Sequence, residues 1–339
     1  MTAKAVRYRA LSGLFIGVAL ALGVIGYYGF PRVLAAVSMT GWSGMILILL
    51  AHIPSLLLCA LAWGSSIPHQ KHPWRVFFLA RWIRDAVSSL LPILPVSGEL
   101  IGVRILRHYG LHSDVAVAST VLDLTVELVA QFLFTVIVLA LLIGIKPAAA
   151  GIHWVFMGLL LSAPALAGFV LLQNSRILPA MSRLMARLAS PLMHVFSNMS
   201  MERIQQLIRS SYLDRGHICM VTLLHLAAWF IGTLEVWVAL RLLACPRSVA
   251  VVLVLEGLVF ALRAIAFAVP GGLGIQEGGY IAVGAMFALP PDIALAVSLL
   301  KRAREVILGI PGLCLWQWLE GRRLNQPAHG EVKSLEAAD

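Results

Sequence analysis

Long apolar runs dominate the chain, recurring with few polar interruptions over positions 11–30, 44–63, 115–143, 155–172, 218–240 and 294–319. About 20 such residues suffice for a helix to cross the hydrocarbon of a bilayer. The pattern therefore predicts about six spanning helices, the last interrupted by charges. Two further apolar stretches do not read as simple spans. Positions 74–95 carry Arg81, Arg84 and Asp85 and end in Leu91-Pro92-Ile93-Leu94-Pro95. Positions 248–269 carry Glu256 and Arg263 and break at Pro270-Gly271-Gly272-Leu273-Gly274. Proline and glycine stop a helix and release backbone groups that lipid cannot satisfy. Each stretch, with the short apolar segment after it, reads as a re-entrant or broken helical hairpin. One turns near Pro95 and Gly98, the other at Pro270, Gly271, Gly272 and Gly274. If these segments instead cross fully as pairs, the outer topology is unchanged.

The charged positions repeat as well. Glu99, Asp114 and Glu127 have like residues 178 positions further on, at Glu277, Asp292 and Glu305. In the same register Leu111, Val115 and Ala116 meet Leu289, Ile293 and Ala294, and a proline precedes each hairpin glutamate. This is an internal duplication, with repeat one over about 11–143 and repeat two over about 154–320. Three crossings per repeat invert the second copy. The fold expected is an all-α polytopic membrane protein, one transmembrane domain over 1–339, of the kind that places its site between inverted repeats.

Composition leaves no soluble reading: 60% of residues are hydrophobic, 12% are charged, and mean hydropathy is +0.90. The net charge of +10 is then informative by position rather than as a nucleic-acid footprint. Lys and Arg collect in the N-terminal tail (Lys4, Arg7, Arg9), around Lys71, Arg75, Arg104 and Arg107, in the loop 174–217, and in the polar tail 321–339. Segments 31–40, 146–153 and 241–247 carry only one or two basic residues each. The positive-inside rule places the rich segments, and both termini, in the cytoplasm, for a multi-pass protein of the bacterial inner membrane. The basic loop 174–217 then lies on the membrane surface. The first run is too long for a signal-peptide core and has no clean cleavage site, so it reads as an uncleaved helix.

Cys59, Cys219, Cys245 and Cys314 lie far apart without a CxxC pair, and imply neither metal nor disulfide chemistry. His108 and His112 have helical spacing but no metalloprotease motif, and read as solvated interface residues. No nucleophile elbow, phosphate-binding loop or dinucleotide fingerprint occurs, so no catalytic residue, metal or cofactor is assigned.

The candidate chemistry lies in charges within apolar runs, which are costly unless they face the protein interior with a partner. Asp123 and Glu127 are four residues apart and share a helix face. Lys301, Arg302, Arg304 and Glu305 cluster on the last helix, and Asp123 and Lys301 are equivalent in the duplication with opposite sign. The simplest pairing sets Asp123 and Glu127 against Lys301, Arg302 or Arg304 across the pseudo-twofold axis, with Glu235 and Arg263 able to join. Such pairs could be structural locks. Alternatively, three close cations could line a cavity for an anionic headgroup such as phosphate. The hairpin tips offer helix N-termini, where Glu99 and Glu277 either serve the site or simply stabilise the helix starts, and where Ser97 is a possible cap. The substrate-binding candidates are thus Lys301, Arg302, Arg304, Glu305, Asp123, Glu127, Arg263, Glu99 and Glu277.

The segment Val269-Pro270-Gly271-Gly272-Leu273-Gly274-Ile275-Gln276-Glu277-Gly278-Gly279 resembles the second-half signature of the lysylphosphatidylglycerol synthase transmembrane (flippase-like) family. Leu94-Pro95-Val96-Ser97-Gly98-Glu99 looks like its first-half counterpart. More narrowly, Glu256-Gly257-Leu258 with Arg263, and Ser298-Leu299-Leu300-Lys301-Arg302-Ala303-Arg304-Glu305, look like the hopanoid-biosynthesis-associated branch. The resemblance implies movement of a lipid between leaflets. About twenty residues follow Trp318, so the expectation is the membrane unit without the soluble synthase domain. It implies a membrane lipid as partner, a hopanoid or an associated anionic lipid, and possible association with lipid-biosynthesis enzymes. Two alternatives stand beside a translocator or transport accessory. One is an intramembrane transferase using a lipid-phosphate donor, with Glu99, Asp123 or Glu277 as base; the other is a scaffold for hopanoid-synthesis enzymes.

Overall fold

The computed structural model describes residues 30–67, 73–91, 97–146, 200–265 and 274–325, together with a few isolated positions between 157 and 171. The described residues are helical and contain no strand. In chain order the helices are α1 (Phe30–Gly64), α2 (Trp74–Leu90), α3 (Ser97–His108), α4 (Ser113–Ile145) and α5 (Met201–Leu213). They continue with α6 (Arg215–Gly232), α7 (Leu234–Leu242), α8 (Val249–Ile265), α9 (Ile275–Ala285) and α10 (Pro291–Asn325). The runs expected to span at 11–30 and 155–172 lie outside the described residues, as do both tails and most of the basic loop.

Among the described residues, the segments Ser38–Gly64, Ser113–Ile145 and Arg215–Leu242 are long and apolar enough to cross a bilayer. Their outward faces are bare hydrocarbon: Ile46, Leu47 and Leu50 on α1 and Leu133, Val136 and Ile137 on α4 are exposed. Such faces suit lipid rather than water. Gly41, at φ +70°, breaks α1 near its start. A short turn at Thr233 separates α6 from α7 within the third span. At 35 residues α10 is long enough to cross, and its mid-helix charges are what distinguish it from the apolar spans.

The two hairpins expected from sequence have counterparts in the fold. Helices α2, α3 and α4 run 17, 12 and 33 residues, and α8, α9 and α10 run 17, 11 and 35, in the same order. In each unit the two short helices pack on each other and the second packs on the long helix. The turns themselves, with Pro95, Pro270, Gly271 and Gly272, fall outside the described residues. Gly98 and Gly274 are described, and they differ. Gly98 is buried inside α3, where a Cβ would meet the Ser88 hydroxyl at 2.0 Å and the Arg84 carbonyl at 2.7 Å. It therefore serves close packing of the arms rather than the turn. Gly274 has φ +75° and caps α9, a conformation open to glycine at little cost.

The units interlock. α10 lies against α2 of the other unit, and α4 lies against α8. Glycines permit both approaches: an added Cβ would sit 2.5 Å from Leu90 at Gly309, 2.8 Å from Ala86 at Gly312, and 2.6 Å from Val138 at Gly257. Small residues at helix crossings are how membrane helices gain packing where lipid supplies no hydrophobic drive. Around the second unit, Met45, Phe134, Val252, Leu255, Val297 and Leu300 form one apolar core. Around the first, Trp63, Phe77, Ile83, Leu90, Leu106 and Leu313 form another.

Candidate functional site

Helix α2 carries its arginines one turn apart, so both reach the same neighbours. Arg81 donates to both carboxylate oxygens of Glu127, at 2.9 and 2.7 Å, and to Asp85 at 3.2 Å. Arg84 donates to Asp123 at 2.7 Å and to Glu127 at 3.3 Å, and reaches Glu99 on α3 at 3.3 Å. Its guanidinium also lies 5.4 Å from the centroid of the buried Trp63 ring. Asp123 is fully buried, and its other oxygen meets His225 Nε2 of α6 at 2.9 Å. Forked arginine–carboxylate geometry of this kind is the strongest pairing that neutral hydrocarbon surroundings permit. Among the described residues the cluster holds four carboxylates against two guanidiniums.

The second unit builds its own cluster on α8, α9 and α10. Lys301 donates to Glu256, which also accepts from Tyr280, and its ammonium lies 4.8 Å from the Phe260 ring centroid. Arg302 reaches Glu277 at 3.2 Å and Glu305 at 3.1 Å. Arg304 pairs with Glu235 of α7 at 3.0 Å, and His52 of α1 lies 3.4 Å from the other Glu235 oxygen. Arg263 donates to Gln276 at 2.7 Å and lies 3.9 Å from Glu305. Here four cations face four carboxylates.

The cross-axis pairing expected from sequence is thereby corrected. Asp123 and Glu127 belong to Arg81, Arg84 and His225, while Lys301, Arg302 and Arg304 belong to Glu256, Glu277, Glu305 and Glu235. The neighbouring helices supply the counter-charges: Arg84 reaches Asp123 and Glu256 reaches Lys301. The expectation of an anion trap changes with it, because each of those three cations has a carboxylate partner. Glu277 both pairs with Arg302 and accepts the Gly274 N–H at 2.8 Å, so it does start α9. Ser97 is the first residue of α3, and its hydroxyl turns back to the Leu91 carbonyl at 3.4 Å.

The clusters face one another across a chamber lined by charged and apolar side chains. A cavity of about 150 Å³ is lined by Arg81, Asp85 and Glu127 from one unit and Glu256, Lys301 and Arg304 from the other, with His52, Cys59 and Glu235 between. An adjoining cavity of about 330 Å³ shares His52, Arg81, Asp85 and Arg304, and adds Ser88, Ser89, Arg263 and Glu305. The candidates Glu127, Lys301, Arg304, Arg263 and Glu305 therefore line it directly. Asp123, Arg302, Glu99 and Glu277 stand behind, holding lining residues or their partners.

This arrangement of broken hairpins and intramembrane ion clusters accompanies a match of residues 14–312 to the family described as the lysylphosphatidylglycerol synthase TM region. The chain belongs to that family. It is accordingly a membrane protein of a lipid-related family, as its apolar helices require. No curated protein matches it. Within this family member, Arg81, Arg84, Glu256, His52, Cys59 and His225 are site components that were not among the sequence candidates. The two arginines and Glu256 were visible as charges inside apolar stretches, but sequence gave them no partners. His52 and His225 are lone ionisable residues within apolar spans, which is itself a pointer to the interior.

Proposed function

We propose that this protein is a polytopic lipid translocator of the bacterial inner membrane, with both termini cytoplasmic and its two units related by inversion. The observation that carries this reading is the charge-lined chamber between two interlocked hairpin units in an otherwise apolar helical body. A lipid's polar head would exchange water for the chamber's paired charges while its hydrocarbon stays among the lipid-facing helices. Because acids and bases line the chamber together, a head with hydroxyls or both charge signs suits it better than a simple anion. The resemblance to the hopanoid-associated branch supports a hopanoid or an associated lipid as cargo. Purified protein in liposomes containing labelled candidate lipids should accelerate leaflet exchange of at least one of them. No acceleration for any lipid would overturn the proposal.

One observation favours the transferase alternative. Glu99 pairs with Arg84 through Oε1, but its Oε2 is buried without a hydrogen-bond partner among the described residues, whereas both oxygens of Asp123 and of Glu277 are engaged. A general base needs such an uncommitted oxygen. A chemically altered lipid that depends on the intact gene would select the transferase, and unaltered lipid in a changed location would select transport.

A further inference from the structure

His225 is fully buried on α6, and its two ring nitrogens differ. Nε2 meets Asp123 at 2.9 Å, so this nitrogen carries the proton that the carboxylate accepts. In the neutral tautomer that donates from Nε2, Nδ1 keeps its lone pair, and it has no hydrogen-bond partner among the described residues. An imidazole fixed by a carboxylate on one nitrogen and bare on the other is how proteins prepare a metal-ligating histidine. Beside it are two further donors. A ring nitrogen of His225, the Cys59 thiol sulfur and a Glu127 carboxylate oxygen all lie within 4.8 Å of one another.

The electrostatics of the first unit ask for a cation there. Asp85, Glu99, Asp123 and Glu127 face Arg81 and Arg84, with His225 on Asp123, so acids outnumber guanidiniums among the described residues. The second unit shows no such excess. An excess of acid favours a cation, and a divalent ion bound through the Cys59 thiolate, its proton released to solvent, adds one net positive charge there. We propose that Cys59, Glu127 and His225 bind a divalent cation of the zinc class, with Asp123 as the residue that orients His225. The donor set, one sulfur, one nitrogen and one oxygen, selects a borderline-soft metal over magnesium or calcium. Metal–donor bonds of about 2.0–2.3 Å set tetrahedral donors roughly 3.3–3.8 Å apart, so the three close in by about 1 Å on binding. Glu127 accepts the metal through the one lone-pair site that its three arginine bonds leave open. Cys59 gives up its thiol proton on binding. Cys59 and Glu127 both line the 150 Å³ cavity, so the fourth position opens into the chamber, where a water or a headgroup oxygen could complete it. The ligand set stands whether or not the protein moves lipid.

The test uses the full chain in detergent, with Cys219, Cys245 and Cys314 replaced by serine so that Cys59 is the only thiol. Titration with Co²⁺ should give a thiolate-to-cobalt charge-transfer band that saturates at one equivalent and is displaced by Zn²⁺. C59A, a small change at a packed position, should abolish the band and weaken Zn²⁺ binding at least tenfold. Asp123→Asn should weaken it by about 10–100-fold while keeping the band. Absence of the band from folded, reduced protein would overturn the proposal. So would C59A binding Zn²⁺ as tightly as its parent. Neither result bears on leaflet exchange, which is measured separately.

Discussion

The two hairpin units share a plan and differ in sign. In the first, bases stand on the leading arm, as Arg81 and Arg84, and acids on the long helix, as Asp123 and Glu127. In the second, Glu256 stands on the leading arm, and Lys301, Arg302 and Arg304 on the long helix. Glu99 and Glu277, and Glu127 and Glu305, keep their sign between the units, whereas Asp123 and Lys301 invert it. The lesson is that the two units place charge at like positions, while local partners decide which charge it is. A second contrast follows: the second unit is balanced, and the first carries more acid than base.

The largest expected effect comes from removing a base from the unit that has fewest. Arg84→Met strips Asp123 and Glu99 of their closest cation. It should destabilise the protein by about 3–5 kcal/mol, the usual cost of breaking one side of a buried pair, read as loss of thermal stability in detergent. A double-mutant cycle sharpens the comparison. Glu256→Gln with Lys301→Met should show coupling of about 0.5–3 kcal/mol, whereas Asp123→Asn with Lys301→Met should be additive within about 0.5 kcal/mol. Coupling in the second cycle and none in the first would mean that charge is balanced across the units. Gly309→Ala, which presses a methyl into Leu90, should cost about 1–3 kcal/mol and loosen α10 from α2. Gly274→Ala, at positive φ, should cost about 1–2 kcal/mol, measured the same way. Arg209→Ala, on the exposed face of α5, should change stability by less than about 0.5 kcal/mol.

The helical class and the apolar spans at α1, α4 and α6–α7 are readable from run length, and the two pairs of short packed helices fall where charge and proline interrupt the apolar pattern. The charged positions were readable too, because a charge in an apolar run stands out. Their partners were not. Asp123 and Lys301 look complementary in a list, but Arg84 lies 39 positions from Asp123 and reaches it only because α2 packs on α3 and α3 on α4. Likewise Glu235 finds Arg304 through the packing of α7 on α10, which no periodicity encodes. Gly98 illustrates the same limit: its type suggested a turn, and the packing of Ser88 and Arg84 shows why it must be small. Cys59 and His225 escaped because each is unremarkable alone, and only tertiary contact makes them neighbours.

Because the arginines of each unit, and Lys301, pair mainly with acids of that same unit, with His225, His52 and Glu235 joining from helices outside the hairpins, the units have room to diverge. A substitution that reverses a charge in one can be answered by a second change a helix away, with the other unit untouched. A protein built from two identical halves that exchanged counter-charges would lack that freedom, since each reversal would demand a matching one in its sister. Local closure therefore lets two units of one plan become unequal one small step at a time, and inequality is what gives such a molecule two distinguishable sides.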